Sequence, residues 1–239
     1  MVPDAILTLD GVVAGYDTRI DILHGVSFEV PKGSLAAIIG PNGAGKSTIF
    51  NVIFGFVNPK QGAISFDGRE VAHLSAIERL SCGITYAPQG RCNFPLMSIR
   101  ENLEMAAYTR SDSGVTADIE RVLQRYPIIG DRASELAGNL SGGMQQILEM
   151  AMVLLLNPKI VLLDEPSLGL APVMMDMVFN EIRRMNEDGV TILMIEQNAK
   201  RALQIADHAI VLKLGRVALE GSGQELLDND DVKKLYLGG

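Results

Sequence analysis

The stretch GPNGAGKST, residues Gly40 to Thr48, decides the fold of this chain. It matches the pattern G-x-x-x-x-G-K-[ST], and the short apolar segment SLAAIIG, residues 34–40, leads into it. Such a segment is typical of a strand whose two faces are both covered by other parts of a domain. A buried strand followed by a glycine-rich loop and a helix predicts a phosphate-binding loop in an α/β domain.

The phosphate loop predicts the positions of the nucleotide's phosphates. Its glycines allow the backbone to turn its amides inward, and the following helix N-terminus also favours an anion. We expect Lys46 to reach the β- and γ-phosphates and the Ser47 hydroxyl to ligate Mg²⁺. The predicted nucleotide-binding residues of the loop are Gly40, Pro41, Asn42, Gly43, Ala44, Gly45, Lys46, Ser47 and Thr48.

A second motif, KIVLLDEP at residues 159–166, places two acids at the end of an apolar segment. In a doubly wound sheet, ligands bind at the carboxyl ends of the strands. Asp164 is therefore predicted to hold Mg²⁺ through water, and Glu165 to polarise the water that attacks the γ-phosphate. Solvated turn acids are the ordinary alternative, and the phosphate loop makes that alternative less favourable.

A third motif, LSGGMQQ, spans residues 140–146 at the start of a predicted helix. Ser141 can cap the helix, and Gly142 and Gly143 leave its first turn open to an anion. Taken alone, the motif is equally compatible with an ordinary helix N-terminus.

Composition limits the classes of function. The chain has 239 residues, 47% of them hydrophobic, which suffices for one large α/β domain or two modest ones. Its net charge of −8 disfavours a general nucleic-acid binder. The two cysteines, Cys82 and Cys92, form no disulfide framework and are expected to be reduced thiols.

No targeting or membrane-spanning segment is expected. The first residues, MVPDAILTLDG, lack a basic region and a long apolar run. The longest apolar stretch is interrupted at residues 157–159 and is shorter than the ~20 residues that a spanning helix needs. If the protein works at a membrane, we therefore expect a peripheral subunit.

Hydrophobic periodicity divides the chain into three parts. The first third reads as strands and turns, with a hairpin at residues 62–71 and a helix near residues 75–80. Residues 97–156 show helical periodicity and read as a helical insertion. The last third alternates strands and helices and ends in one strand over residues 208–221, which predicts a parallel, doubly wound sheet.

The three motifs together resemble those of the ATP-binding cassette (ABC) ATPases, whose signature is LSGGxQ. The resemblance covers essentially the whole chain. It implies a phosphate-loop NTPase core with a parallel sheet flanked by helices, an antiparallel β subdomain and an inserted α-helical subdomain. Residues 1–239 would form a single domain, with the core and β subdomain at about 1–92 and 157–239 and the helical signature subdomain at about 93–156.

The resemblance also implies roles for further residues. Tyr16 lies where the family has an aromatic residue that stacks on adenine. Gln89 matches the glutamine that contacts Mg²⁺ and couples to the membrane subunit, and the loop at residues 167–170 contacts a partner cassette. In the family, two cassettes meet head to tail, so Ser141, Gly142 and Gly143 of one would complete the ATP site of the other. ATP would then close the dimer, and hydrolysis would open it.

Four shorter stretches resemble the ATP-binding subunits of branched-chain amino-acid transporters: residues 88–103, 164–172 and 196–199, and the terminal YLGG. Such an importer has two membrane permease subunits, a second and different cassette, and an extracytoplasmic binding protein. The resemblance thus implies a cassette at the cytoplasmic face of the membrane that couples ATP hydrolysis to uptake of these amino acids. A urea or short-amide importer, a non-transport ABC ATPase and a nucleotide-gated subunit with little catalysis are the alternatives.

The signature departs from that subgroup at one position. Met144 stands where an acid is usual, and the helix after it lacks an arginine common in related chains. The methionines near residues 144–152 and 174–185 have helical spacing, which is typical of core packing. Adaptable interface contacts are the alternative.

Gln197 departs from the superfamily, in which most members have histidine at this position, but it matches the subgroup. An amide can donate to a phosphate oxygen and accept from water, but it cannot carry a proton. We therefore expect Glu165 to be the general base, Lys46 to stabilise charge, and Gln197 to sense the γ-phosphate. The alternative is an amide that only caps a turn.

Because Gln197 cannot relay a proton, hydrolysis at this phosphate loop is expected to be slower than at a histidine-bearing partner cassette. Gln197→His should therefore raise turnover, measured as the steady-state rate of phosphate release at saturating ATP. An unchanged rate in this variant would contradict the proposed role of the amide.

Overall fold

The fold is described from a computed structural model that covers residues 5–17, 19–90 and 92–237. Arg91, in one of the subgroup-like stretches, and the last two residues of YLGG lie outside the described residues. In the described part of the chain, no helix is both long enough and apolar enough to cross a membrane.

The strands form two sheets. In chain order they are β1 (Ala5–Ala14), β2 (Leu23–Pro31), β3 (Leu35–Ile39), β4 (Gln61–Phe66), β5 (Arg69–Glu70), β6 (Ile84–Ala87), β7 (Ile160–Asp164), β8 (Thr191–Ile195), β9 (His208–Lys213) and β10 (Arg216–Gly221).

The helices lie mostly between strands, as the predicted alternation requires. They are α1 (Lys46–Phe54), α2 (Ala76–Cys82), α3 (Ile99–Ala106), α4 (Val115–Arg125), α5 (Pro127–Gly130), α6 (Gly142–Leu154), α7 (Pro172–Glu187), α8 (Ala199–Ile205), α9 (Gly223–Asp228) and α10 (Asp230–Val232). Short 3-10 turns occur at Ala107–Thr109 and Ala137–Asn139, and a π-helical turn occurs at Lys233–Leu237.

The larger sheet has six strands in the order β10-β9-β3-β8-β7-β6. Each pairing from β9 to β6 is parallel, which confirms the predicted parallel sheet of an α/β fold. The edge strand β10 pairs antiparallel with β9. This sheet is therefore parallel with one antiparallel edge.

The prediction of one strand over residues 208–221 is wrong, because the chain reverses there into the β9–β10 hairpin. Leu214 and Gly215 form the turn with φ values of 48° and 70°. The amide of Gly215 donates to the Ala44 carbonyl at 2.9 Å, so the turn is held against the phosphate loop. The apolar alternation continues through both strands, so periodicity alone did not reveal the reversal.

The smaller sheet is antiparallel, with four strands in the order β2-β1-β4-β5. Its last two strands form the predicted hairpin, which turns at Asp67 and Gly68. The helix predicted near residues 75–80 is α2, and the predicted helical insertion contains α3 to α6. The subdomain boundaries remain a prediction.

The apolar strand β3 separates two hydrophobic clusters. Leu35, Ala37 and Ile39 belong to the cluster that includes buried residues of α3 to α8. Ala36 and Ile38 belong to the cluster that includes α1 and the antiparallel sheet. Because successive side chains of a strand point to opposite faces, β3 is apolar throughout and has both faces covered, as predicted.

A buried arginine ties α2 to the end of α1. Arg79 is fully buried, and burial lowers its pKa. Its guanidinium donates to four backbone carbonyls, those of Val52, Ile53, Ala72 and Leu74. Two of these carbonyls belong to the last turn of α1, where helical carbonyls lack intrahelical partners. Arg79 therefore stabilises the C-terminus of the helix that begins at the phosphate loop.

We expect Arg79→Ala to lower the free energy of unfolding by about 3 kcal/mol or more, because it leaves several buried carbonyls without donors. Urea unfolding measures this loss. The exposed Arg183 on α7 is the matched control, and Arg183→Ala should change stability by no more than ~0.5 kcal/mol. A loss at Arg79 as small as that of the control would contradict the capping role.

Candidate functional site

The phosphate loop connects the end of β3 to the start of α1. Gly45 is the N-cap residue of α1, with a φ of 101° that favours glycine. At Gly40 a β-carbon would overlap the backbone carbonyl oxygen of Leu212 on β9. The loop therefore lies directly against the sheet, and its first residue has no room for a side chain.

Lys46 is buried at the first position of α1. Its ammonium donates to the Gly40 carbonyl at 2.9 Å and to the Pro41 carbonyl at 3.1 Å. Burial lowers its pKa, while the negative charges of Glu165 and Asp164 oppose that shift. The loop and the two acids thus hold a cation beside the loop backbone.

The strand β7 delivers Asp164 to the same edge of the sheet. The Ser47 hydroxyl donates to Asp164 Oδ1 at 3.4 Å, and the Tyr86 hydroxyl donates to Oδ2 at 3.2 Å. Burial raises the pKa of Asp164, and the hydrogen bonds from Ser47 and Tyr86 and the charge of Lys46 oppose the rise.

The pair formed by Ser47 and Asp164 fits Mg²⁺. Both groups offer hard oxygen atoms, and Mg²⁺ is usually bound by one or two protein groups together with substrate phosphates and water. Among the described residues, no group of three or more His, Cys, Asp or Glu side chains could hold a metal on its own. The oxygen pair of Ser47 and Asp164 suits a cation that is bound together with a phosphate ligand.

Glu165 has an unusual backbone conformation. Its φ is 52°, in the left-handed region that side chains other than glycine rarely adopt. Its amide donates to the Ile195 carbonyl at 2.8 Å, and its carboxylate accepts from Gln89 Nε2 at 3.1 Å. Burial and the neighbouring Asp164 raise the pKa of Glu165, while Lys46 opposes the rise.

Lys46, Ser47 and Glu165 line a cleft of about 560 Å³. It brings the phosphate loop together with Gln89, Glu165 and the exposed Gln197. The full lining is Ile22, Asn42, Gly43, Gly45, Lys46, Ser47, Thr48, Gln89, Glu165, Leu168 and Gln197. Most of the side chains predicted to act on the phosphates therefore face one cavity.

Tyr16 lies outside that lining. Its ring is 63% exposed, and its hydroxyl accepts a hydrogen bond from Asn51 Nδ2 of α1 at 2.7 Å. An exposed aromatic ring tethered to the helix that follows the phosphate loop is available for stacking.

The signature residues do not line the cleft of the phosphate loop. Ser141 caps α6, where its hydroxyl accepts from the Met144 amide at 3.4 Å. Gly142 lines a second cleft of about 460 Å³ together with Gln89, Glu165 and Gly169. The start of α6 thus opens onto a cleft that shares Gln89, Glu165 and Leu168 with the first one.

Gly143 has a packing reason to lack a side chain. It is buried, and a β-carbon there would overlap the side chain of Met174 on α7. Part of the signature therefore serves the contact between α6 and α7. The neighbouring Met144 packs against the hydrophobic core, and its sulfur lies 3.8 Å from Arg132 Nη1.

Sequence reasoning missed Tyr86. It lies in β6, three residues before Gln89, and its hydroxyl holds Asp164. Its ring packs against Phe50 and Phe54 of α1. Its position near the carboxyl end of a parallel strand was the available signal.

Comparison with known proteins identifies the family. The family described as "ABC transporter" matches residues 23–168, which span the phosphate loop, the signature and the acidic pair. The chain belongs to the ABC transporter family. The predicted ABC ATPase and its α/β fold are thereby confirmed.

Two of the similar proteins are named as ATP-binding proteins of branched-chain amino acid transport. The high-affinity branched-chain amino acid transport ATP-binding protein BraG of Pseudomonas aeruginosa is 39% identical, with 95% of this chain and 97% of BraG covered. The probable branched-chain amino acid transport ATP-binding protein LivF of Archaeoglobus fulgidus is 38% identical, with 94% and 95% covered. The predicted resemblance to this group of ABC cassettes is confirmed.

Solved ABC cassettes share the fold. The ADP conformation of an ATP-binding cassette of an ABC transporter has a TM-score of 0.86 at 29% identity and covers 98% of this chain and 99% of its own. A dimeric post-hydrolysis cassette bound to ADP and phosphate has a TM-score of 0.78 at 26% identity, with 90% and 98% covered.

We expect Gly40→Ala to weaken ATP binding at least about tenfold, because the new methyl group would displace the loop from Leu212. Equilibrium titration with ATP measures the change. Gly33→Ala is the matched control, because Gly33 also has a positive φ of 74° but its β-carbon would meet open space. It should cost about 1 kcal/mol of stability and leave ATP affinity unchanged. Equal ATP affinities for the two variants would contradict this explanation.

Proposed function

We propose that this chain is the ATP-hydrolysing subunit of an ABC importer that takes up branched-chain amino acids. For the reaction, the cleft that combines the phosphate loop, Ser47 and Glu165, together with the Asp164 carboxylate bonded to Ser47, carries the proposal. For the cargo, the support is the similarity to BraG and LivF over nearly their whole lengths.

The residues of the cleft suit a division of labour in phosphoryl transfer. The amides of the phosphate loop bind the phosphates, and Lys46 moves from the Gly40 and Pro41 carbonyls to the β- and γ-phosphates. Ser47 and Asp164 would hold Mg²⁺. When bound, Mg²⁺ would neutralise charge on the phosphates.

Gln89 and Glu165 are joined by a hydrogen bond and have different roles. Gln89 donates from Nε2 to Glu165, which leaves its amide oxygen able to ligate Mg²⁺. Glu165 is the general base that takes a proton from the attacking water. Its raised pKa makes it a stronger base than an ordinary carboxylate.

Gln197 orients the attacking water and does not transfer a proton. Its side chain is exposed and lines the cleft with Lys46 and Glu165. From there its amide can donate to a γ-phosphate oxygen and accept from the attacking water. Tyr16 stacks on the adenine ring.

A second cassette completes the site. Gly142 lines a cleft at the start of α6 and Ser141 is exposed, so both are available to the nucleotide of a partner, while the buried Gly143 packs the same turn against Met174. A dimeric state is consistent with the dimeric cassette among the similar structures. We propose a different cassette as partner, two membrane permease subunits, and an extracytoplasmic binding protein that acts indirectly. The chain would work peripherally at the cytoplasmic face of the membrane.

We expect Glu165→Gln to keep ATP binding and to lower turnover more than tenfold, because the amide cannot accept a proton. Phosphate release at saturating ATP measures the loss. The exposed Glu187 on α7 is the control, and Glu187→Gln should retain turnover. Turnover above about a tenth of the unmodified rate, a loss under ~1.4 kcal/mol, would contradict the general-base assignment.

The same variant, expressed in cells, tests which substrate the transporter takes up. Uptake of radiolabelled leucine, isoleucine and valine should fall when Glu165→Gln replaces the unmodified chain, and urea uptake should stay the same. Loss of urea uptake alone would indicate the related importer instead.

A further inference from the structure

Glu196 is a buried carboxylate that the mechanism above does not use. It directly follows β8, whose five residues are all buried, and it is only 2% exposed itself. Burying a charge is costly unless hydrogen bonds compensate it. It lies at the carboxyl end of a central parallel strand, at the same edge of the sheet as the cleft.

The Glu196 carboxylate joins two segments of the site. Oε1 accepts from the Ser167 amide at 3.0 Å. Oε2 accepts from the Asn198 amide at 3.3 Å. Glu196 therefore connects the turn after β7, which carries Glu165, to the turn after β8, which carries Gln197.

Two hydrogen bonds to the end of β8 hold the turn that carries Glu165. Its own amide donates to the Ile195 carbonyl, and two residues later the Ser167 amide donates to Glu196. The Leu168 amide closes the turn by donating to the Glu165 carbonyl at 3.1 Å. A non-glycine residue with a φ of 52° is strained, and it persists only where its surroundings hold it in place.

Attraction between charges does not explain the acid at this position. Glu196 and Glu165 are both acids, and each raises the free energy of the other's charged form. Burial raises the pKa of Glu196, and the hydrogen bonds from Ser167 and Asn198 oppose the rise. A carboxylate offers an acceptor oxygen to each of the two amides, whereas a glutamine offers one oxygen and a nitrogen that cannot accept.

We propose that Glu196 is a positioning residue for ATP hydrolysis, which holds the turn at residues 165–168 against Asn198 and thereby sets the placement of Glu165 beside Gln197. The inference rests on the proposed role of Glu165 as general base. Glu196 does not line the nucleotide cleft, so its effect passes through the backbone of Ser167. Misplacing a catalytic group by about 1 Å can cost ~10²-fold in rate, which sets the scale of the expected effect.

The test compares the full-length chain with Glu196→Ala and Glu196→Gln. We expect Glu196→Ala to lower kcat at least about tenfold while the affinity for ADP, used as a non-hydrolysable probe, stays within about twofold. The kcat of Glu196→Gln should lie between those of the unmodified chain and Glu196→Ala, since the glutamine oxygen can still accept from the Ser167 amide. An unchanged kcat in Glu196→Gln and Glu196→Ala would overturn the proposal, and Glu196→Gln alone decides if the alanine variant does not fold.

Glu181 provides a control for the general cost of altering a buried acid. It lies on α7 and accepts from Arg125 Nη2 at 2.9 Å and from the Tyr126 hydroxyl at 2.6 Å. It does not line the nucleotide cleft. Glu181→Gln should lower Tm and leave the kcat of the folded protein unchanged. An equal loss of kcat in Glu181→Gln and Glu196→Gln would show a merely structural effect and overturn the proposal.

A double variant separates this inference from the proposed function. The rate of single-turnover hydrolysis of radiolabelled ATP is measured. Introducing Glu196→Ala into the unmodified chain should slow hydrolysis at least about tenfold. Introducing it into the Glu165→Gln variant should slow hydrolysis less than about threefold, because positioning matters only when the base is present. Additive losses would overturn the positioning role. If Glu165→Gln alone kept full turnover, the general-base assignment would fail independently of any result at Glu196.

Discussion

The parallel pairing of β8 with β3 on one side and β7 on the other is the constraint on which the site depends. The register aligns Ile38 of β3, Ile195 of β8 and Asp164 of β7 across the three strands. As a result, the phosphate loop, the acidic pair and the Glu196–Gln197 segment all leave the sheet at the same edge. A slip of one residue would turn every side chain of a strand to the other face and separate these groups.

This edge holds more negative than positive charge. Asp164 and Glu196 are buried and Glu165 partly so, and Lys46 is the buried cation beside them. Backbone and hydroxyl donors compensate much of that charge, but a nucleotide adds several more negative charges. Recognition of a phosphate at this edge therefore favours a ligand that arrives with a divalent cation. The hydroxyl of Ser47 beside Asp164 provides a suitable place for one.

Several features could not be predicted because they depend on contacts between distant parts of the chain. The β9–β10 hairpin turns where Gly215 meets the phosphate loop through Ala44, a contact that periodicity cannot encode. Gly143 in the signature is required partly by Met174 on another helix. Arg79, which reads as an ordinary helix-surface residue, is buried because it caps α1.

The sequence alone determined the class of the fold and predicted the chemistry at its motifs, because the phosphate loop, the acidic pair and the signature are local patterns that predict function from residue type and spacing. Only the tertiary structure decided how these motifs combine. It brings Gln89, Glu165 and Gln197 into one cleft and places Gly142 of the signature in an adjoining one. It also assigns Glu196 to the Ser167 amide, because strand pairing, rather than spacing along the chain, determines which polar groups meet at the edge of the sheet.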